Sequence, residues 1–131
     1  MTSASDILQF VDAVAEQFKP RRIVLFGSYA YGTPNYDSDV DILVVSDGRQ
    51  TAYAQTVKIS LAVMAPFALD LMVHSPSEIG RRIAGGDCFL DEIMKKGLVL
   101  YDSSDCGVGE KGRRRLRHRL AAVQVTQPIT V

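Results

Sequence analysis

No apolar run in this chain of 131 residues approaches the length that spans a bilayer. The first residues, Met1 to Asp6, are polar and unlike a secretory leader, so the expected address is the cytoplasm, with no membrane partner. Cysteine is scarce. Cys88 and Cys106 are too few for a disulfide framework, and their spacing fits no zinc motif, so both read as ordinary reduced thiols. Net charge is absent as well, but the zero hides an uneven spread. Residues 1–102 hold nine basic and thirteen acidic side chains, a balance of −4, and residues 103–131 hold six and two, a balance of +4. An acidic body excludes a broad nucleic-acid surface, which needs clustered lysine and arginine, and leaves that class only the basic tail.

What is present reads as one soluble domain with one core, at 47% hydrophobic residues. Ser5-Asp6 can cap a first helix in which Ile7, Phe10, Val11, Val14 and Phe18 share a face, ended by Pro20. Arg22 to Phe26 and Val40 to Val45 read as strands. Ser28 to Tyr31 fits one helical turn closed by Gly32, and Thr33 to Ser38 is a loop. A helix is expected over Gln50 to Met64, with Ala54, Val57, Leu61 and Met64 on one stripe, and a third strand over Phe67 to His74. Ser75-Pro76-Ser77-Glu78 is a capping box that launches a helix to Ile83-Ala84. Asp87 caps a last helix, Phe89 to Lys96, before a short strand, Leu98 to Tyr101. The fold class is therefore α/β or α+β, a small sheet covered by helices. Residues 1–102 form the expected domain. Residues 103–131 read as a flexible, basic tail with Gly107, Gly109 and Gly112, a helix being conceivable from Arg113 to Val123 and no period showing from Val123 to Val131.

The chemistry concentrates in Gly27-Ser28 and, ten residues on, Asp39-Val40-Asp41. Residues i and i+2 of a strand point to one face, so these carboxylates project together, Cα atoms roughly 6–7 Å apart. Two such charges at about 4 Å repel by about 4 kcal/mol at an effective dielectric near 20. No lysine or arginine lies between Arg22 and Arg49 to relieve them. Asp70, inside the apolar third strand, is costly to bury unless paired or metal-bound. If the second and third strands are neighbours, three carboxylates converge. Such an arrangement binds two Mg²⁺ ions roughly 3.5–4 Å apart for in-line phosphoryl or nucleotidyl transfer. Asp39 and Asp41 would touch both ions. Asp70 would serve the nucleophile side and accept its proton. Glycine at 27 lets backbone approach a phosphate, with Ser28 adding a hydroxyl and the following turn its amides.

Gly27-Ser28-x-Ala30-x-Gly32 through Ser38-Asp39-x-Asp41 resembles the signature of the DNA polymerase beta-type nucleotidyltransferase superfamily, and within it the minimal nucleotidyltransferases, over roughly Ile7 to Tyr101. On that resemblance Asp39, Asp41 and Asp70 fall on the three metal-binding acids, and Gly27 and Ser28 on the phosphate-binding pair. It implies an NTP donor, ATP for AMP transfer, with two Mg²⁺. It implies a partner as well, since many minimal members pair with a HEPN-domain toxin and transfer AMP to its tyrosine as the antitoxin. Two alternatives stand beside this: a subunit of a small-molecule, aminoglycoside-type nucleotidyltransferase, and a nucleotide-binding module that neutralises its partner by binding alone. The acceptor, the base preference and any homo-oligomer stay open.

Other residues take plainer readings. His74 lies two pleats from Asp70 and reads as a strand-end polar group, and His118 as solvated. Tyr29, Tyr31 and Tyr36 surround the loop as packing or rim residues. Arg21 and Arg22 are expected in solvent. Lys58, Arg81 and Arg82 could reach donor phosphates.

Overall fold

The computed structural model describes residues 1–48 and 50–126, with side chains described as far as Ala121. Helix α1, Ala4–Phe18, starts a turn earlier than expected: the Ser3 side chain, not Ser5-Asp6, accepts the Asp6 amide. Lys19 ends it in the left-handed region (φ 47°) just before Pro20. Strand β1, Arg22–Phe26, runs directly into the four-residue helix α2, Ser28–Tyr31. Strand β2 is Val40–Val45, and α3, Ala52–Ala62, carries the chain over to β3, Leu69–His74. Helices α4, Pro76–Ala84, and α5, Cys88–Lys96, lead to β4, Leu98–Asp102. Among the described residues no helix is long and apolar enough to cross a membrane.

The four strands form one mixed sheet in the order β3-β2-β1-β4. β1 pairs antiparallel with both β2 and β4, and β2 pairs parallel with β3 through the α3 crossover. The pleat sorts the core into two layers. Val40, Ile42, Val44 and Val73 face α1, α2 and a sixth helix. Val24, Phe26, Leu43 and Val45 face α4 and α5. Phe67 packs edge-on against Phe10 just ahead of β3, which begins later than the apolar run suggests.

The expectations for α3 and for the C-terminal segment need correction. The Val57–Leu61–Met64 stripe of α3 faces solvent, Leu61 and Met64 being 77% and 84% exposed. Ile59 and Val63 make the core contact instead, because the crossover rests on the sheet by that narrower side. The segment expected to be a flexible tail is α6, Cys106–Thr126, laid along β4. Gly109, Gly112, Leu116 and Leu120 are buried at three- and four-residue spacing. A Cβ on Gly112 would stand 1.8 Å from the Val99 carbonyl oxygen, so this glycine permits close packing rather than flexibility. Arg113 donates to the Leu100 carbonyl and pairs with Asp12 of α1. Residues 127–131, read as part of an aperiodic end, lie outside the described residues.

Arg22, expected in solvent, donates to Asp102 through both Nε and Nη2 across the sheet end. Asp102 also accepts from the Ser104 hydroxyl and amide. Its carboxyl is held down to about 2, first by the Ser104 hydroxyl; burial opposes, and the Ser104 amide and Arg22 add to the lowering.

Candidate active site

At the end of the sheet where β1 finishes and β2 and β3 begin, the register places Asp41 between Phe26 of β1 and Asp70 of β3. Asp41 and Asp70 are direct partners on neighbouring strands, with Cα atoms about 4.8 Å apart in such pairing. They share the pleat face of Leu43 and Met72, the side that carries α4 and α5. Asp39, exposed, stands just ahead of β2. The preceding loop is tied down locally: Asn35 Oδ1 accepts from the Asp37 amide, and the Ser38 hydroxyl accepts from the Asn35 amide.

The three charges act on one another. The Asp41 carboxyl is pushed up to about 6, by burial first, then by the charge of Asp70 and that of Asp39, with a carboxyl–carboxyl hydrogen bond to Asp70 adding to the rise. Among the described residues none of the three has an ion-pair partner. Nor, among those residues, do any three His, Cys, Asp or Glu side chains form a closed metal-ligand set. Asp41 and Asp70 meet side by side at this strand end, and Asp39 stands two residues ahead of Asp41. An oxygen-only donor set carrying excess negative charge fits a hard divalent cation.

The glycine–serine bend meets these acids directly. Gly27 is the N-cap of α2, with φ 75° and ψ −158°, a region closed to other residues. A Cβ there would lie 2.1 Å from Asp41 Oδ2. The carboxylate is thus seated against bare backbone at the mouth of α2. No side chain caps α2, and its first backbone hydrogen bond runs from the Tyr31 amide to the Gly27 carbonyl. The Ser28 amide, on a residue that is only part-buried, is left open to an anion, whereas Tyr29 and Ala30 are buried. The Ser28 hydroxyl has no hydrogen-bond partner among the described residues.

The remaining candidates fall away from this point. Tyr29 is buried, its hydroxyl accepting from the Thr2 amide, whereas Tyr31 and Tyr36 are exposed at the rim. His74 is buried at the far end of β3, where its Nδ1 lies 3.4 Å from Glu78 Oε2, too long for a well-formed hydrogen bond. Burial would raise Glu78, but contacts with His74 and Arg82 outweigh it and hold the carboxyl low. Arg82 is engaged by Glu78, and Lys58 and Arg81 are exposed on α3 and α4. A cavity of about 250 Å³ among Arg22, Val45, Ile79 and Asp102 sits at the opposite end of the strands. The sequence reading missed Arg119 of α6, whose guanidinium donates to the Ala30 carbonyl of α2. The signal available for it was the four-residue spacing of Gly112, Leu116 and Leu120.

Comparison with known proteins adds the following. The family described as nucleotidyltransferase domain matches residues 7–103. A putative protein adenylyltransferase of Methanocaldococcus jannaschii is 30% identical over 103 residues, covering 77% of this chain and all of that protein. The crystal structure of a putative nucleotidyltransferase from Sulfolobus solfataricus superposes with a TM-score of 0.56 at 21% identity, over 78% of this chain and 82% of the other. A toxin–antitoxin structure with AMP-PNP gives a TM-score of 0.44 at 20% identity, over 95% and 94% of the two chains.

Proposed function

The chain belongs to the nucleotidyltransferase domain family and is a nucleotidyltransferase, and from that premise we propose that it moves AMP from ATP to a hydroxyl of a partner protein. The observation that carries this is the seat of the Asp41 carboxylate, against Gly27 on one side and Asp70 on the other. It joins a phosphate-binding bend to a pair of acids in one place. The similarity to a protein described as a protein adenylyltransferase supports a protein acceptor. The resemblance to minimal nucleotidyltransferases supports a HEPN-domain toxin as that acceptor, this chain being its antitoxin in the cytoplasm.

The amide and hydroxyl of Ser28, at the mouth of α2, hold the donor's phosphates. The acceptor oxygen attacks the α-phosphorus and forms the new P–O bond. The bond from the α-phosphorus to the oxygen bridging it to the β-phosphate breaks, and pyrophosphate leaves with the electron pair. The acceptor proton passes to the Asp70 carboxylate, which faces the same strand end as Asp41. Two Mg²⁺ ions held by Asp39, Asp41 and Asp70 would offset the phosphate charge and acidify the acceptor hydroxyl. Asp39 and Asp41 would hold those ions beside the phosphates, Asp41 from its seat against the Gly27 backbone.

Incubating the chain with ATP, Mg²⁺ and the protein encoded beside it, then weighing that protein by mass spectrometry, tests the reading. One added AMP, lost in the double variant Asp39→Asn/Asp41→Asn, is expected. Neutralisation of the partner by that variant without AMP transfer would overturn the enzymatic account of its biology.

A further inference from the structure

The nucleotide loop is held by a part of the chain that the family match does not include. The match ends at residue 103, and α6 begins at Cys106. Helix α2 has four residues, too few to hold its position by its own hydrogen bonds. Its last carbonyls have no partner within the helix. Ala30 is fully buried, so its carbonyl cannot rely on bulk water. The Arg119 guanidinium supplies the donor through Nη1. A cation at this end also suits the helix dipole, which is negative there.

The donor is itself fixed. Leu116 and Leu120 bracket Arg119 on α6 and are 0% and 4% exposed in the core that also contains Tyr29 and Ala30. The aliphatic stem of Arg119 lies over Gly32, whose added Cβ would come 3.5 Å from Arg119 Cβ. The side chain thus spans the C-terminal end of α2, with its stem on Gly32 and its head on Ala30. At 1.5 Å per residue, the Ser28 amide at the other end of α2 lies about 6 Å away.

We propose that Arg119 is a positioning residue for the nucleotide loop: by holding the Ala30 carbonyl it fixes the short helix whose opposite end receives the donor's phosphates. The inference rests on the reading of Gly27-Ser28 as the phosphate site. Arg119 contacts Ala30 and Gly32 and, among the described residues, forms no ion pair with the three acids. Its effect reaches the phosphates through α2.

The test uses the full chain and three probes, Mg²⁺-ATP, tripolyphosphate and adenosine, titrated against wild type, Arg119→Met and Arg119→Lys. Methionine keeps the stem over Gly32 and removes the donor, whereas lysine keeps a charged donor. A lost charged hydrogen bond predicts about tenfold weaker ATP and tripolyphosphate binding in Arg119→Met. Adenosine binding should hardly move, the melting temperature should fall by a few degrees because the buried Ala30 carbonyl loses its donor, and lysine should recover most of both losses. Equal ATP affinity in wild type and Arg119→Met overturns the inference, as does a loss that strikes adenosine as hard as tripolyphosphate. A wild-type chain that fails to bind Mg²⁺-ATP overturns the underlying reading of the site, and this inference with it.

Discussion

Gly27 and Gly112 both lie where a Cβ has no room, yet they do opposite work. At Gly27 the neighbour is the Asp41 carboxylate, and the backbone takes a φ of 75°. At Gly112 the neighbour is the Val99 carbonyl of β4, and the backbone is an ordinary helix. The first glycine opens a polar site, and the second closes an apolar contact. The proposed chemistry therefore sits in a bend of unusual conformation, and the support sits in regular structure that looks unremarkable.

Four substitutions sharpen or break this contrast. The largest effect is expected from Asp39→Asn/Asp41→Asn. AMP transfer should fall about a thousandfold or more, since charge neutralisation at the phosphates is lost, while a thermal melt should show no loss of stability. A fall in stability alongside activity would mean that the acids are structural.

Gly112→Val should do the reverse. The intruding side chain must push α6 off β4, at a cost of about 3 kcal/mol. Chemical denaturation reads this directly. An unchanged midpoint would show that α6 is not packed as described.

Asp102→Ala tests a supporting polar contact. It strands Arg22 and removes the acceptor of the Ser104 hydroxyl and amide, at a cost of about 2 kcal/mol. The folded carboxyl is held down to about 2, below the usual carboxylate range. Its contribution is therefore fully present above about pH 4 and fades as pH falls towards 2. Acid titration of the melting temperature should lose that portion of its slope in the variant.

The smallest effect carries the opposite sign. Asp41 is raised to about 6 in the folded chain, so the folded state binds that proton more tightly than the unfolded state does. Without metal, stability from this group is highest below about pH 4 and declines as pH rises through 6. Asp41→Asn should raise stability at pH 7 by about 1 kcal/mol after solvent screening, and flatten the melting temperature between pH 4 and 7. Destabilisation at pH 7 would contradict the repulsion inferred here.

The same contrast explains what could be read without coordinates. The strands at Arg22–Phe26 and Val40–Val45 and the turn at Ser28–Tyr31 stand where expected, because glycine, proline and β-branched runs punctuate them. The candidate site was legible because its pattern lies within fifteen residues of chain, and only the approach of Asp70 needed the fold. Helix α6 was not legible. Three glycines and a run of arginines imitate a loose tail, and the burying positions are partly glycine, which periodicity does not count as apolar. The α3 stripe misled for a related reason: spacing identifies a helix face but not the side on which the sheet lies. The Arg119 contact depends on the misread α6 and on a buried Ala30 carbonyl, which no sequence pattern marks.

The most direct test of the central claim is the number of Mn²⁺ ions bound per chain, counted by paramagnetic resonance with a non-hydrolysable ATP analogue present, Mn²⁺ standing in for Mg²⁺ at oxygen ligands. The account predicts about two ions per chain in wild type, and loss of binding in Asp39→Asn/Asp41→Asn and of one ion in Asp70→Asn. Unchanged stoichiometry across these variants would contradict it.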